Sequence, residues 1–120
     1  MPSKEEHIAK ANGDAAFVLS LSLDSQPQID WALVALFYAA LHYVEAYLAV
    51  IFGMHIRSHT TRDSIVGRDS NLRRIFHEYQ DLKFFGYNAR YEMGVFKPKD
   101  VTDQAAPKFE KIKDHIKKFL

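Results

Sequence analysis

The chain has 120 residues, 48% hydrophobic and 26% charged, which suits one globular domain spanning residues 1–120 around a single core. A formal net charge of +1 exerts no global pull toward nucleic acid or an anionic surface, so any such contact requires local clustering. The absence of Cys excludes disulfides, thiolate chemistry and Cys-based zinc sites, and is compatible with a reducing cytoplasm, the expected location.

Ser3 is placed to cap a first helix carrying Glu5 and Glu6 in its opening turn, where acidic residues complement the helix dipole. Ile8, Ala11, Ala15, Val18 and Leu19, with Leu23 as a possible last member, follow at helical spacing, and Gly13 weakens the segment slightly. Asp24-Ser-Gln-Pro-Gln28 forms a turn, with Pro27 barring smooth continuation and Asp30 at or near the cap of the next helix.

Residues 31–52, from Trp31 to Phe52, contain neither Pro nor Gly and are apolar on nearly every side. They predict the central helix of the domain, packed on all faces. About 20 apolar residues also suffice to cross a bilayer, but a carboxylate at Glu45 and an imidazole at His42 are expensive in hydrocarbon. The other predicted helices are amphipathic and charged, and no charged start with a small-residue cleavage site precedes the run, so no membrane association is expected.

Gly53 closes this helix, and a short link carrying His55 leads to Ser58, the start of another helix. Ile65, Leu72, Ile75, Phe76, Tyr79 and Leu82 make an amphipathic segment that Gly67-Arg-Asp-Ser-Asn71 should break or kink. Lys83 to Asp100 mixes Phe84, Phe85, Tyr87, Tyr91 and Phe96 with Gly86, Gly94 and Pro98, which predicts a compact aromatic-anchored loop rather than a long helix. A last helix starts at Thr102 or Asp103 with Pro107 in its first turn; Phe109, Ile112, Ile116 and Phe119 or Leu120 line one face and lysines the others. The fold class is therefore all-α, a four- to five-helix up-and-down antiparallel bundle in which the first, third and last helices flank the central one.

Three polar constellations are candidates for chemistry. Tyr38, His42 and Glu45, at i, i+4 and i+7, share one face of the central helix as a buried hydrogen-bond network or a dimer interface. His59 and Arg62 share a face near a helix N-terminus, an arrangement that suits phosphate or carboxylate as well as a plain solvated cap. His55 and His59 have the spacing of a metal-binding pair but lack the Glu of hydrolytic zinc helices, and Gly53 sets His55 outside the helix of His59, so no metal or other cofactor is expected. Arg90 and Tyr91 can hold a phosphate and stack a base, or fill a gap in the bundle. The Arg68, Arg73, Arg74 cluster is unspecific, and no phosphate-binding Gly loop, nucleophile elbow or paired-carboxylate motif occurs.

Phe37-Tyr-Ala-Ala-Leu-His-Tyr-Val-Glu-Ala46, Ser58-His-Thr-Thr-Arg62 and Ala89-Arg-Tyr91, in this order, resemble the HEPN superfamily, helical domains named for higher eukaryotes and prokaryotes, over residues 29–92. The resemblance implies a helical bundle that commonly forms a homodimer. It also implies RNA cleavage, nucleotide or RNA binding, or partnership with a nucleotidyltransferase in toxin-antitoxin and defence systems. Ribonuclease members carry an Arg followed after four to six residues by His. Here Arg73 and His77 stand one residue too close, so no catalytic residue is carried over. The nucleotide- or RNA-binding candidates are His59, Arg62, Arg90 and Tyr91. A non-enzymatic dimeric interaction module and a metal-independent ribonuclease using His59 or His77 are the alternatives.

Overall fold

The computed structural model describes residues 2–92 and 95–120 as an all-α bundle: α1 (Lys4–Leu19), α2 (Gln26–Phe52), α3 (His59–Arg68), α4 (Phe76–Tyr91) and α5 (Ala106–Lys117). A 3-10 turn, Leu72–Ile75, leads into α4, and a wide π turn, Asp100–Ala105, leads into α5. No strand occurs among the described residues.

The elements begin and end where backbone chemistry requires. Ser3 accepts the Glu6 backbone N–H while the Glu6 carboxylate accepts that of Ser3, a reciprocal box that satisfies two orphan donors of α1. Ser58 caps α3 by accepting the Thr61 N–H. Gly53, at φ 62°, ends α2 in the left-handed region, as the sequence predicts. The start of α2 differs from expectation: the helix begins at Gln26, and Pro27 lies inside its first turn, where the N–H it lacks has no helical partner in any case.

At about 1.5 Å per residue the 27 residues of α2 span about 40 Å, which matches the 41 Å long axis of the molecule. α1, α4 and α5 all pack against this rod, whereas α3 packs mainly on the 3-10 turn beside it. Leu33, Tyr43, Val44 and Leu48 of α2 are fully buried together with Leu72, Leu82, Ile112 and Ile116 from the surrounding elements. Burial is not complete, however. Trp31 is 58% exposed at one end of α2, and Val50, Ile51 and Phe52 are exposed at the other. The helix is long and apolar enough to cross a membrane, yet 72% of its most apolar window is buried by the rest of the chain. On α1 the buried positions are His7, Ala11 and Val18, while the expected core residue Leu19 is solvent-exposed.

The predicted loop over Lys83–Asp100 is corrected for its first half, because α4 continues unbroken to Tyr91. Gly86 does not break the helix; it lets α4 touch α2. A Cβ there would meet the Phe37 Cβ at 3.0 Å, so the two backbones approach more closely than an alanine allows. Gly94, the other glycine of that prediction, lies outside the described residues. Phe96 does anchor the remainder, buried with its ring 5.5 Å from that of Phe85 and its carbonyl accepting from Gln26 Nε2. Helical backbone precedes Pro107 as far back as Pro98, and the wide turn immediately before α5 accommodates a ring that an ordinary helix interior rejects.

Candidate functional site

The polar centre of the protein is an ion pair. Glu45 of α2 is fully buried and Arg62 of α3 is 3% exposed; Arg62 Nε donates to Glu45 Oε1 at 2.8 Å. The second oxygen of Glu45 accepts the Ile56 backbone N–H at 3.1 Å. Arg62 also donates to the Ile56 carbonyl, and its remaining nitrogen stands 3.1 Å from His59 Nδ1. Burial, together with the neighbouring Arg62 and Lys83 charges, holds the His59 ring below the usual histidine range, so near neutral pH it accepts this bond. The pair thus clamps the link between α2 and α3 at both backbone polar groups of one residue, Ile56.

This corrects the expectation that Arg62 meets a ligand. His59 and Arg62 do share a helix face, but Glu45 turns the Arg62 part of it inward, and all three guanidinium nitrogens are engaged inside the protein. The Tyr38, His42, Glu45 row likewise divides. Tyr38 accepts a hydrogen bond from Arg90 at 3.2 Å, His42 meets His7, and Glu45 holds Arg62. Glu45 is therefore the buried polar group of the two expected alternatives, and a residue without exposed surface cannot contact a second copy.

His7 was not apparent from sequence as a site residue. It is buried on α1 with Nδ1 3.1 Å from His42 Nδ1, and its ring stacks on that of His55 at 5.2 Å between centroids. The available signal was an ionisable residue on the same helical stripe as Ala11 and Val18. Burial pushes both His7 and His42 below the usual histidine range, in keeping with a pair of neutral rings, one donating and one accepting. His55 lies outside the helix of His59, as Gly53 predicts, and the two diverge: His55 turns to His7 and Glu45, and His59 is exposed.

That surface holds a cavity of about 240 Å³ between α2, the start of α3 and α4, lined by Phe37, Tyr38, His59, Lys83, Gly86, Tyr87 and Arg90. Its floor is apolar, set by the Phe37 ring against Gly86. Its rim carries His59, Lys83 and Arg90, with Lys83 paired to Asp63. The Arg90 guanidinium lies 5.4 Å from the centre of the exposed Tyr91 ring, which is itself 4.8 Å from Tyr87. Arg90 also borders an open groove of about 430 Å³ containing Trp31, Phe17, Tyr38 and His42, and a second of about 410 Å³ containing Trp31, Val34 and Tyr91.

Of the predicted binding residues, the fold thus brings His59 and Arg90 to one cavity, sets Tyr91 beside it and withdraws Arg62. Lys83 and Tyr87 join them at i and i+4 on the α4 face that Arg90 completes at i+7. That periodicity was present in the sequence, but a loop was expected there. Cationic groups around an apolar, aromatic-walled hollow can take an anion attached to a flat ring. No family model, no curated protein and no solved structure matches the chain, so its functional reading rests on these side chains.

Proposed function

We propose that the cavity between α2 and α4 binds a nucleotide or a short stretch of single-stranded RNA, with phosphate on Arg90, Lys83 and His59 and a base against Tyr87 or Tyr91. The observation that carries this reading is the joining of three nitrogen-bearing side chains, an apolar floor and the exposed Tyr87 in one cavity, with the exposed Tyr91 beside it. Single-stranded nucleic acid is held by the same combination of cationic groups and sequence-tolerant stacking. The HEPN resemblance points the same way and brings with it partnership with a nucleotidyltransferase in a toxin-antitoxin or defence system; the absence of Cys is compatible with a cytoplasmic setting.

The test is fluorescence anisotropy with a labelled oligouridylate and, in competition, with free nucleoside monophosphates. Affinity should fall as salt rises, and Arg90→Ala and Tyr87→Ala should each weaken binding about tenfold with unchanged circular dichroism. Binding that ignores both substitutions, or no binding of any probe at low salt, overturns the assignment.

A second reading rests on a different observation: Trp31, Phe17 and Tyr91 are exposed along the two grooves that flank Arg90. This is the patch of choice for a homodimer, since a large aromatic at the centre of an interface contributes most when desolvated. Light scattering on Trp31→Glu should then show a smaller particle than the unchanged chain; equal masses remove that reading.

A further inference from the structure

We propose that His7, Glu45 and His55 form a binding site for a divalent transition metal, Zn²⁺ being the ion their donor set fits best. Each residue presents one ligand atom, and these atoms lie within 4.8 Å of one another. They come from α1, α2 and the link before α3, so only the tertiary fold assembles them.

Two features show that the cluster is unsatisfied as it stands. His7 is 2% exposed, and its Nε2 is buried with no hydrogen-bond partner among the described residues. His55 Nδ1 is buried and equally unpartnered, although Glu45 Oε2 stands only 3.3 Å away. That separation is longer than a charge-assisted hydrogen bond, which closes to about 2.7–2.9 Å. It is the separation of two ligands on one tetrahedral ion, because bonds of about 2.0–2.1 Å at the tetrahedral angle place their ends roughly 3.3 Å apart. Buried polar atoms are rarely left orphaned, and here two orphans and a carboxylate oxygen face one another.

The surroundings have the form of an outer shell. His42 Nδ1 lies 3.1 Å from His7 Nδ1; when His7 donates this bond, its Nε2 is left as a bare lone pair directed at the cluster. Arg62 holds Oε1 of Glu45, and the Ile56 N–H reaches Oε2, so the carboxylate is oriented before any ion arrives. Two imidazoles and one carboxylate suit Zn²⁺, Co²⁺ or Ni²⁺ and disfavour Mg²⁺ and Ca²⁺, which demand oxygen ligands. Three protein ligands leave the fourth tetrahedral position for water or another small donor.

The full chain, stripped with chelator, is titrated with Co²⁺ under a visible-absorption readout and with Zn²⁺ under thermal unfolding. Expected are the intense absorption of tetrahedral cobalt, saturating at about one ion per chain, its displacement by Zn²⁺, and a higher Tm with Zn²⁺. His55→Ala, on a half-buried link, should abolish the cobalt spectrum and the Tm shift with unchanged far-UV circular dichroism. His42→Gln should keep the spectrum but weaken affinity about 10- to 100-fold, as loss of an orienting partner does. His77→Ala, exposed on α4, is the control and should change neither readout. The proposal is overturned if the unchanged chain shows no tetrahedral spectrum, if His55→Ala retains it, or if His77→Ala loses it.

Discussion

Arg62→Met tests the central ion pair most directly. The substitution keeps an unbranched side chain of similar reach but removes the donor to Glu45 Oε1, the donor to the Ile56 carbonyl and the contact with His59 Nδ1. Glu45 then remains in a site with no exposure, and leaving one member of a buried pair alone costs about 3–5 kcal/mol. A small domain has roughly 5–15 kcal/mol in all, so the variant should be near the edge of folding. Glu45→Leu strands Arg62 in the same way and should cost about 3 kcal/mol. The double variant is different, because no charge is left behind and the main losses are the two hydrogen bonds at Ile56 and the His59 contact, about 1 kcal/mol each. It should therefore be no less stable than either single variant, with a coupling of about 3 kcal/mol. Urea unfolding followed by far-UV circular dichroism, in chelator so that no bound ion contributes, gives all four corners of the cycle. A single variant within about 1 kcal/mol of the unchanged chain, or additive losses in the double, refutes the reasoning.

Gly13→Ala should stabilise by up to about 1 kcal/mol in thermal unfolding, since a Cβ there meets nothing within 4 Å and the helix gains propensity. Gly86→Ala should instead lose about 1 kcal/mol or more, because the new methyl crowds the Phe37 Cβ and overpacking outweighs the propensity gain. Tyr79 is buried with its hydroxyl unpartnered among the described residues, so Tyr79→Phe should be neutral or stabilising in chemical denaturation. Burial holds the Tyr79 phenol far above the usual tyrosine range, so its contribution is fully present below about pH 10 and is lost as the unfolded chain ionises above it; the fall in stability at alkaline pH should be shallower in Tyr79→Phe.

What the sequence made legible was decided over short separations. The Ser3 and Ser58 caps, the Gly53 stop and the Phe109, Ile112, Ile116 stripe all depend on residues within a turn or two of one another, and each stands where the pattern placed it. Pro27 and Gly86 were misread because one residue type has two meanings: a proline in a first turn does not break a helix, and a glycine in a helix interior can serve a neighbouring helix rather than a loop. The site was less accessible still. Glu45 and Arg62 are 17 residues apart, Tyr38 and Arg90 are 52 apart, and His7 reaches His42 from 35 residues away, so no local spacing announces those meetings. His59 was legible as a polar side chain at a helix start and Arg90 as one in an aromatic loop, but not as neighbours across one hollow.

The contact of Gly86 on Phe37 has a consequence for the size of the cavity. The same phenylalanine ring that touches the glycine forms the cavity floor and abuts Tyr38, His59 and Tyr79. The aperture is consequently governed by interhelical spacing, and that spacing by the absence of one methyl group. A variant with alanine or serine at Gly86 would hold the two rods further apart and widen the hollow, while every charged group around the opening stayed the same.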